Sequence, residues 1–403
     1  MAGKVNNRGM REVNRALVLD LIRRVERTSR SEIARETKLT KPTVGAIVEE
    51  LIQGNVIREI GPDTRGTGVG RKARMLELNN TSAAYLSVQF GVGFIHLAVA
   101  DALGEVLVVE REKHNLKTPE ATLEALRPLA RKALRAAKVP KSRVRSVGVV
   151  VPGIVDQQTG ECVLAPNLGW ENWPLRDEVA KLFGVPVTVH NITQAAALAE
   201  SRVGVARGLS SFVWVYVGSG VGSVLVVKGQ LFLGANGFAG EVGHCRVEEN
   251  GVLCRCGNRG CVETKVAEPA LVRAMDAEIA RGEAEPPSAG QHDAASLVKL
   301  ARGGDAAALR IFEQAGKFLG LGLSYLANIC DVSNFVIGGR VAEVGTPLLV
   351  AAEQSLRDSA LLPAEMRVVQ SELGDTAGIK GAIFAALELY QRAPRVVGIS
   401  PTA

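Results

Sequence analysis

A chain of 403 residues is too long for one ordinary hydrophobic core and requires two or three domains. It is 47% hydrophobic but only 4% aromatic, with 43 glycines; no apolar run reaches about 18 residues and no hydrophobic signal core opens the chain, which argues against a membrane span or secretion and for a cytoplasmic protein with reduced thiols. Residues 1–80 hold 16 Lys plus Arg against 10 Asp plus Glu, a net of +6, and the whole chain is also +6, so the rest sums to zero; a polyanionic partner is implied for the first fifth alone.

Residues 1–9 are polar and expected to fray. From Arg11 to Val25 the apolar residues Val13, Leu17, Val18, Leu21, Ile22 and Val25 recur at helical spacing. Ser29 with Glu32 is a capping box that starts a short helix. After a turn at Thr37–Leu39, Thr40 caps a third helix with Pro42 in its first turn, a buried stripe of Val44, Ile47, Val48, Leu51 and Ile52, and Gly54 at its end. A strand at Val56–Ile60, a glycine-rich basic loop at Gly61–Arg74 and a strand at Met75–Leu78 complete the order of a winged helix-turn-helix. In such a domain Lys41 and Thr43 enter a major groove, while Arg65, Arg71, Lys72 and Arg74 in the wing reach phosphates or the minor groove. The competing reading is a small helical docking module with a solvated basic face; charge segregation and the wing favour DNA.

Beyond Asn79–Asn80, strands alternate with helices. Tyr85–Phe90, Ile95–Asp101 and Glu105–Glu110 read as consecutive strands, Pro119–Ala137 as a helix and Ser146–Val151 as a buried strand. A second trio, Phe212–Val217, Val221–Lys228 and Gln230–Leu233, repeats the first in topology. Then come a helix at Glu263–Arg281, a loop at Pro286–Gly290, helices within Ala294–Asn328, strands at Asn334–Ile337 and Met366–Gln370, a helix at Gly378–Tyr390 and a tail after Arg392.

Between these lies the most informative stretch, GEVGHCRVEENGVLCRCGNRGCVET, residues 240–264. His244, Cys254, Cys256 and Cys261 form the pattern His-x9-Cys-x-Cys-x4-Cys, a complete tetrahedral set for structural zinc. Gly251, Gly257 and Gly260 supply the positive φ that a tight knuckle needs. The alternative, buried free cysteines, does not account for the clustering; Cys245 lies outside the pattern. Glu241 and Glu263 are spare carboxylates beside the metal, and with the outer edge of His244 they suit a polyhydroxylated ligand such as a sugar.

The motif Glu-x-Gly-His followed by Cys-x-Cys-Gly-x-x-Gly-Cys-x-Glu resembles the signature of the ROK proteins (repressor, open reading frame, kinase). The resemblance implies an α/β body of the actin-like ATPase fold, two lobes with a cleft between them. It implies zinc on His244, Cys254, Cys256 and Cys261, and a sugar on Glu241, His244 and Glu263, joined by Asn167 and Asn191. ROK regulators carry an N-terminal DNA-binding domain that ROK kinases lack. The expected layout is a winged helix-turn-helix over 1–80, a kinase-like body over 81–392 with its knuckle at 244–261, and a tail over 393–403.

Against the family's kinases the chain departs at the phosphate machinery. Gly218-Ser219-Gly220-Val221-Gly222 matches the second phosphate loop, but Gln89-Phe90-Gly91-Val92-Gly93 replaces Asp-x-Gly-Gly-Thr, losing an acid expected near magnesium. Aligned on Leu198 and Glu200, the catalytic aspartate falls on Ile192; a shift of one residue puts Asn191 there, and neither accepts a proton from a sugar hydroxyl. At Gly338-Gly339-Arg340, where the family's adenosine site has a Gly-Gly turn, Arg340 replaces a smaller residue, which argues against adenosine binding. The expectation is therefore a non-enzymatic, sugar-responsive regulator, a repressor by preference, binding operator DNA as a homodimer or dimer of dimers. Its effector is expected to lack a polar group facing Ile192, as a pentose would. The alternatives are an active sugar kinase with an added DNA-binding domain, a decayed pocket, and a module that reports on a partner protein.

Overall fold

Capping decides where the first helices begin. In the computed structural model, which describes residues 7–62, 73–114, 118–235, 237–285 and 293–392, α1 (Asn7–Val25) is followed by β1 (Arg27–Ser29), α2 (Arg30–Thr37) and α3 (Lys41–Gln53). Ser29 Oγ accepts from the Glu32 N–H at 3.3 Å while a Glu32 carboxylate oxygen accepts from the Ser29 N–H at 2.8 Å, the reciprocal box expected there. Thr40 accepts from the Thr43 N–H at 3.3 Å, and Pro42 occupies the first turn of α3. β2 (Ile57–Pro62) and β3 (Arg74–Leu78) pair antiparallel, and β1 joins the free edge of β3. The result is a winged helix-turn-helix arrangement around Val18, Ile22, Ile33, Val44, Val48, Leu51, Ile57 and Leu76. On α1 the outcome is narrower than the periodicity: Val13 is 63% exposed and Leu17 and Val25 are 44% exposed, because this small core takes only one stripe of the helix.

Two five-stranded sheets follow. The first contains β4 (Ala84–Gly91), β5 (Phe94–Ala100), β6 (Val106–Lys113), β7 (Val144–Val151) and, beyond the short strands β8 (Ile154–Val155), β9 (Cys162–Ala165) and β10 (Trp170–Trp173), β11 (Val187–Asn191). Its order is β11-β7-β4-β5-β6. The second contains β12 (Phe212–Val217), β13 (Val221–Val227), β14 (Gln230–Phe232), β15 (Asn334–Gly338) and β16 (Arg367–Gln370), in the order β14-β13-β12-β15-β16. Each is an antiparallel meander whose first strand pairs in parallel with a later strand, so the repeat expected for the two hairpin trios extends to all five strands.

Helices cover the sheets. α4 (Pro119–Ala136) and α5 (Leu175–Phe183) close one face of the first sheet, burying Leu126, Leu129 and Val179 against Val147, Val149 and Val151. Alternation along β7 turns Ser146, Gly148 and Val150 to the other face, where α12 (Ala377–Arg392) lies. Ser146 Oγ donates to the Ala386 carbonyl at 2.6 Å, and a Cβ on Gly148 would overlap the Ala382 carbonyl oxygen. α6 (Ile192–Val203) packs on α12 at equally short range: a Cβ on Gly381 would overlap the Ala195 carbonyl oxygen. The second sheet rests on α10 (Ala306–Cys330), α11 (Thr346–Ser359), α9 (Ala294–Arg302) and α8 (Glu268–Ala280) through Leu319, Leu323, Phe335, Leu348 and Leu271.

The helix expected over Glu263–Arg281 is two. α7 (Glu263–Val266) stops where Ala267 turns extended (φ −68°, ψ 157°), and α8 begins with Pro269 in its first turn, a restart that proline favours. The strands β1, β8, β9 and β10 are too short for periodicity to reveal. Among the described residues no helix is long and apolar enough to cross a membrane.

The α6–α12 contact leaves no room for a methyl group. Gly381→Ala should therefore destabilise the protein by about 1–3 kcal/mol, read as a lower urea midpoint at unchanged slope.

Candidate functional site

The knuckle folds on backbone pairing before any ion is considered. Val247 N–H donates to the Gly260 carbonyl at 2.8 Å and Cys254 N–H to the Asn258 carbonyl at 2.7 Å, with isolated bridges between Arg246 and Cys261 and between Leu253 and Arg259. Gly257 and Gly260 have φ of +90° and +69° as expected. Gly251 does not; it is needed because a Cβ there would lie 2.6 Å from Gly260 Cα. This frame gathers one ligand atom each from His244, Cys254, Cys256 and Cys261 within 4.8 Å of one another, a group able to hold a metal ion. Cys256 and Cys261 Sγ are 3.7 Å apart, as are Cys254 Sγ and His244 Nδ1. Metal–sulfur bonds of about 2.3 Å in a tetrahedron demand edges of about 3.8 Å, so the donor set fits. Facing the cysteines with Nδ1 leaves Nε2 of His244 on the opposite edge.

Three consecutive residues at the start of β13 join the knuckle to the lobe. The Val221 N–H donates to Glu263 Oε2 at 3.0 Å. Its carbonyl lies where a Cβ on Gly243 would sit, which accounts for the glycine in Glu-x-Gly-His. Thr193, in the first turn of α6, packs its methyl against Gly222, and Ser223 Oγ donates to the Gly240 carbonyl. Glu241, His244, Glu263 and the N-terminus of α6 are thus held around one strand end. Glu241 is accessible to solvent; partial desolvation by the surrounding loops pushes its carboxyl up, with His244 opposing and Glu263 adding to the rise.

Asn191 caps α6. Its Oδ1 accepts from the Thr193 N–H at 2.8 Å and the Thr193 hydroxyl at 2.6 Å, and its Nδ2 donates to the Gly153 carbonyl at 2.6 Å. Gln194 completes a capping box that sequence reading missed, donating no charge but accepting from the Asn191 N–H at 3.2 Å. Asn167 is exposed in the turn between β9 and β10, and among the described residues no hydrogen bond joins it to Asn191, Glu241 or Glu263. Ile192, at the expected base position, opens α6 and packs beside Val150, Ala195 and Ala382.

Between the sheets lies a cavity of about 1030 Å³ lined by Gln89, Phe94, His96, Arg111, Ile192, Trp214, Tyr216, Gly338, Gly339 and Arg340 among others. It brings together Gln89, Ile192 and Arg340, three positions that the sequence reading expects to differ from a kinase. Gln89 Oε1 is buried with no hydrogen-bond partner among the described residues. Phe94, His96, Arg111 and Trp214 escaped the sequence reading, since each sits in a strand whose alternation reads as ordinary packing.

In the N-terminal segment Lys41 is exposed at the first position of α3, and the Thr43 hydroxyl is hydrogen-bonded to that of Thr40 at 2.8 Å. Arg74 is exposed on β3 but paired with Glu59 at 2.7 Å, as is Arg30 at 2.6 Å. Hydrogen bonds from Arg74 and then Arg30 hold the Glu59 carboxyl below its ordinary value. Arg65, Arg71 and Lys72 lie outside the described residues.

The family model described as "ROK family" matches residues 85–388. The chain belongs to the ROK family. A xylose repressor from Caldicellulosiruptor bescii is 28% identical over 386 residues, covering 94% of this chain and 96% of that one. Among solved structures, a ROK family transcriptional regulator described as a homologue of the E. coli MLC protein superposes with a TM-score of 0.82 at 28% identity, covering 95% of this chain and 97% of its own. A ROK family glucokinase from Streptomyces griseus, in complex with glucose and AMPPNP, gives a TM-score of 0.64 at 29% identity and covers 76% of this chain and 100% of its own. This ROK chain therefore carries a regulator-like length that the glucokinase does not span.

The geometry of the knuckle makes metal removal a direct test. Cys261→Ala, at a fully buried candidate ligand position, should lower both the metal content by elemental analysis and the melting temperature, and a chelator should reproduce the loss of stability in the native protein and not in the variant.

Proposed function

We propose that this protein is a sugar-responsive, DNA-binding transcriptional regulator, a repressor, whose kinase-like body serves as effector sensor. The observation that carries the reading is that similarity to named regulators runs through the N-terminal segment, whereas the glucokinase match stops at 76% of the chain. Residues 1–80 form the DNA-binding domain, with Lys41, Thr43 and Arg74 joined by Arg65, Arg71 and Lys72. Residues 81–392 form the sensor and 393–403 a tail. The copies act as a homodimer, matching two half-sites on the operator.

Zinc is the ion for His244, Cys254, Cys256 and Cys261. When bound it stiffens the knuckle and keeps His244 Nδ1 occupied, which leaves Nε2 for a ligand. Glu241, His244 and Glu263 then present acceptors and a ring N–H to sugar hydroxyls. Asn191 has both lone pairs of Oδ1 and one N–H committed, so it offers a single remaining N–H. Asn167 reaches the sugar from the exposed turn. Phosphoryl transfer is not part of the activity. Ile192 supplies a hydrocarbon where a base is required, and a buried sugar hydroxyl facing it would go unpaired at a cost of about 1–3 kcal/mol. A pentose is therefore the favoured effector, in keeping with the xylose repressor among the relatives.

Signalling requires the sugar to bind two conformations unequally. Cleft closure that moves the paired winged domains out of register with the half-sites would supply the second state; a tenfold preference for it corresponds to about 1.4 kcal/mol of coupling.

Thermal shift of the metal-loaded protein against pentoses, hexoses, amino sugars, their phosphates and ATP is expected to respond to a pentose and not to ATP; equal shifts with pentose and hexose would refute the pentose assignment, and ATP turnover would restore the kinase reading. Glu241→Ala should abolish sugar-dependent release from DNA without changing affinity in the absence of sugar. Lys41→Ala should weaken DNA binding and reduce the salt slope by about 1 if it touches a phosphate.

A further inference from the structure

Glycine inside a helix is unfavourable relative to alanine unless something needs the missing Cβ. In α10 and α12 something does. A Cβ on Gly316 or Gly320 would overlap the carbonyl oxygen of Leu348 or Ala352, and one on Gly322 would sit 2.6 Å from Val262 Cγ2. On Gly378 it would sit 3.0 Å from Gln89 Oε1, and on Gly381 it would overlap the Ala195 carbonyl oxygen. Gly45 is the contrast. It lies inside α3, its backbone is helical, the helix ends nine residues later at Gly54, and a Cβ there would meet nothing within 4 Å. Among the described residues nothing requires it to be glycine.

Its position says what does. Lys41 and Glu49, one turn before and one turn after on the same face, are both exposed, so the open space beside Gly45 is on the outward side of α3. We propose that Gly45 is the point of closest approach between α3 and DNA, where the absent Cβ lets the helix backbone rest against a base edge or sugar in the major groove. The inference rests on the DNA-binding reading of α3 and deepens it by naming a position that sets specificity through shape. Lys41 and Thr43 precede Gly45 on the entering half of the helix, and Glu49 follows it, where a carboxylate is kept away from phosphates. A methyl group at position 45 would hold this half of α3 off the groove and break base contacts made by its neighbours, while leaving phosphate contacts of the wing in place.

The test uses the full-length protein and DNA duplexes that the wild type selects from a random-sequence pool. Gly45→Ala is expected to raise the melting temperature, since it adds a helix-favouring residue in open space. It is also expected to weaken binding to the selected duplexes at least tenfold, while binding to random duplex at low salt changes less than twofold. Unchanged affinity for the selected duplexes overturns the proposal, as does a fall in melting temperature, which would mean that the fold itself needs the glycine. If the wild type selects no duplex, the DNA-binding reading fails and takes this inference with it; that failure is distinguishable because it appears before any substitution is made.

Discussion

The structure depends on a backbone-to-backbone contact between α6 and α12. Gly381 brings the carbonyl of Ala195 into the space of a side chain, and Gly148 does the same for the carbonyl of Ala382 on the opposite side of α12. α12 is thereby wedged between the first sheet and α6. α6 in turn reaches the second lobe through Thr193, which packs on Gly222, and through buried Glu200, which accepts from Ser371 Oγ beyond the end of β16. Packing this close leaves no slack for an added methyl group and resists continuous deformation. The cavity between the lobes, the capped start of α6 and the strand end to which Glu263 is hydrogen-bonded all lie around this one contact.

Much of the fold, though not this contact, was legible in the sequence, and the reasons differ by element. α2 and α3 were readable to within a residue or a few, because Ser29, Thr40 and Gly54 make local hydrogen bonds that depend on nothing distant. The knuckle was readable because four residues able to ligate a metal and three glycines fall within 18 residues. The twin sheets were readable only in part. Each hairpin trio is sequential and alternates, but β11 and β16 enter their sheets by parallel crossovers whose partners lie far away in the chain. The division of α7 from α8 turned on Pro269, a visible signal that apolar periodicity overrode.

The site was legible where chemistry is local and opaque where it is assembled. Glu241, His244 and Glu263 came from one stretch, and their positions agree with a shared strand end. Asn191 was named for its chemistry toward a ligand, yet the structure commits most of its hydrogen-bonding capacity to holding α6. The lining of the large cavity draws on β4, β5, β6, β12, β15 and the loop after β16, and no spacing along the chain announces that these meet. The same holds for Gly45, whose significance is visible only when the space around it is compared with that around other helical glycines.

The pairing of Glu59 with Arg30 and Arg74 bears on how the winged segment searches. Two guanidinium groups that already share a carboxylate are poorer lures for a passing phosphate than two free ones, because a new contact must displace an existing one. For a winged segment that docks on DNA, the acid on β2 would temper indiscriminate adhesion through these two guanidinium groups. On the DNA-binding reading, a regulator built this way trades some grip for speed of scanning, and it leaves the distinction between one site and its neighbours to the shape of α3.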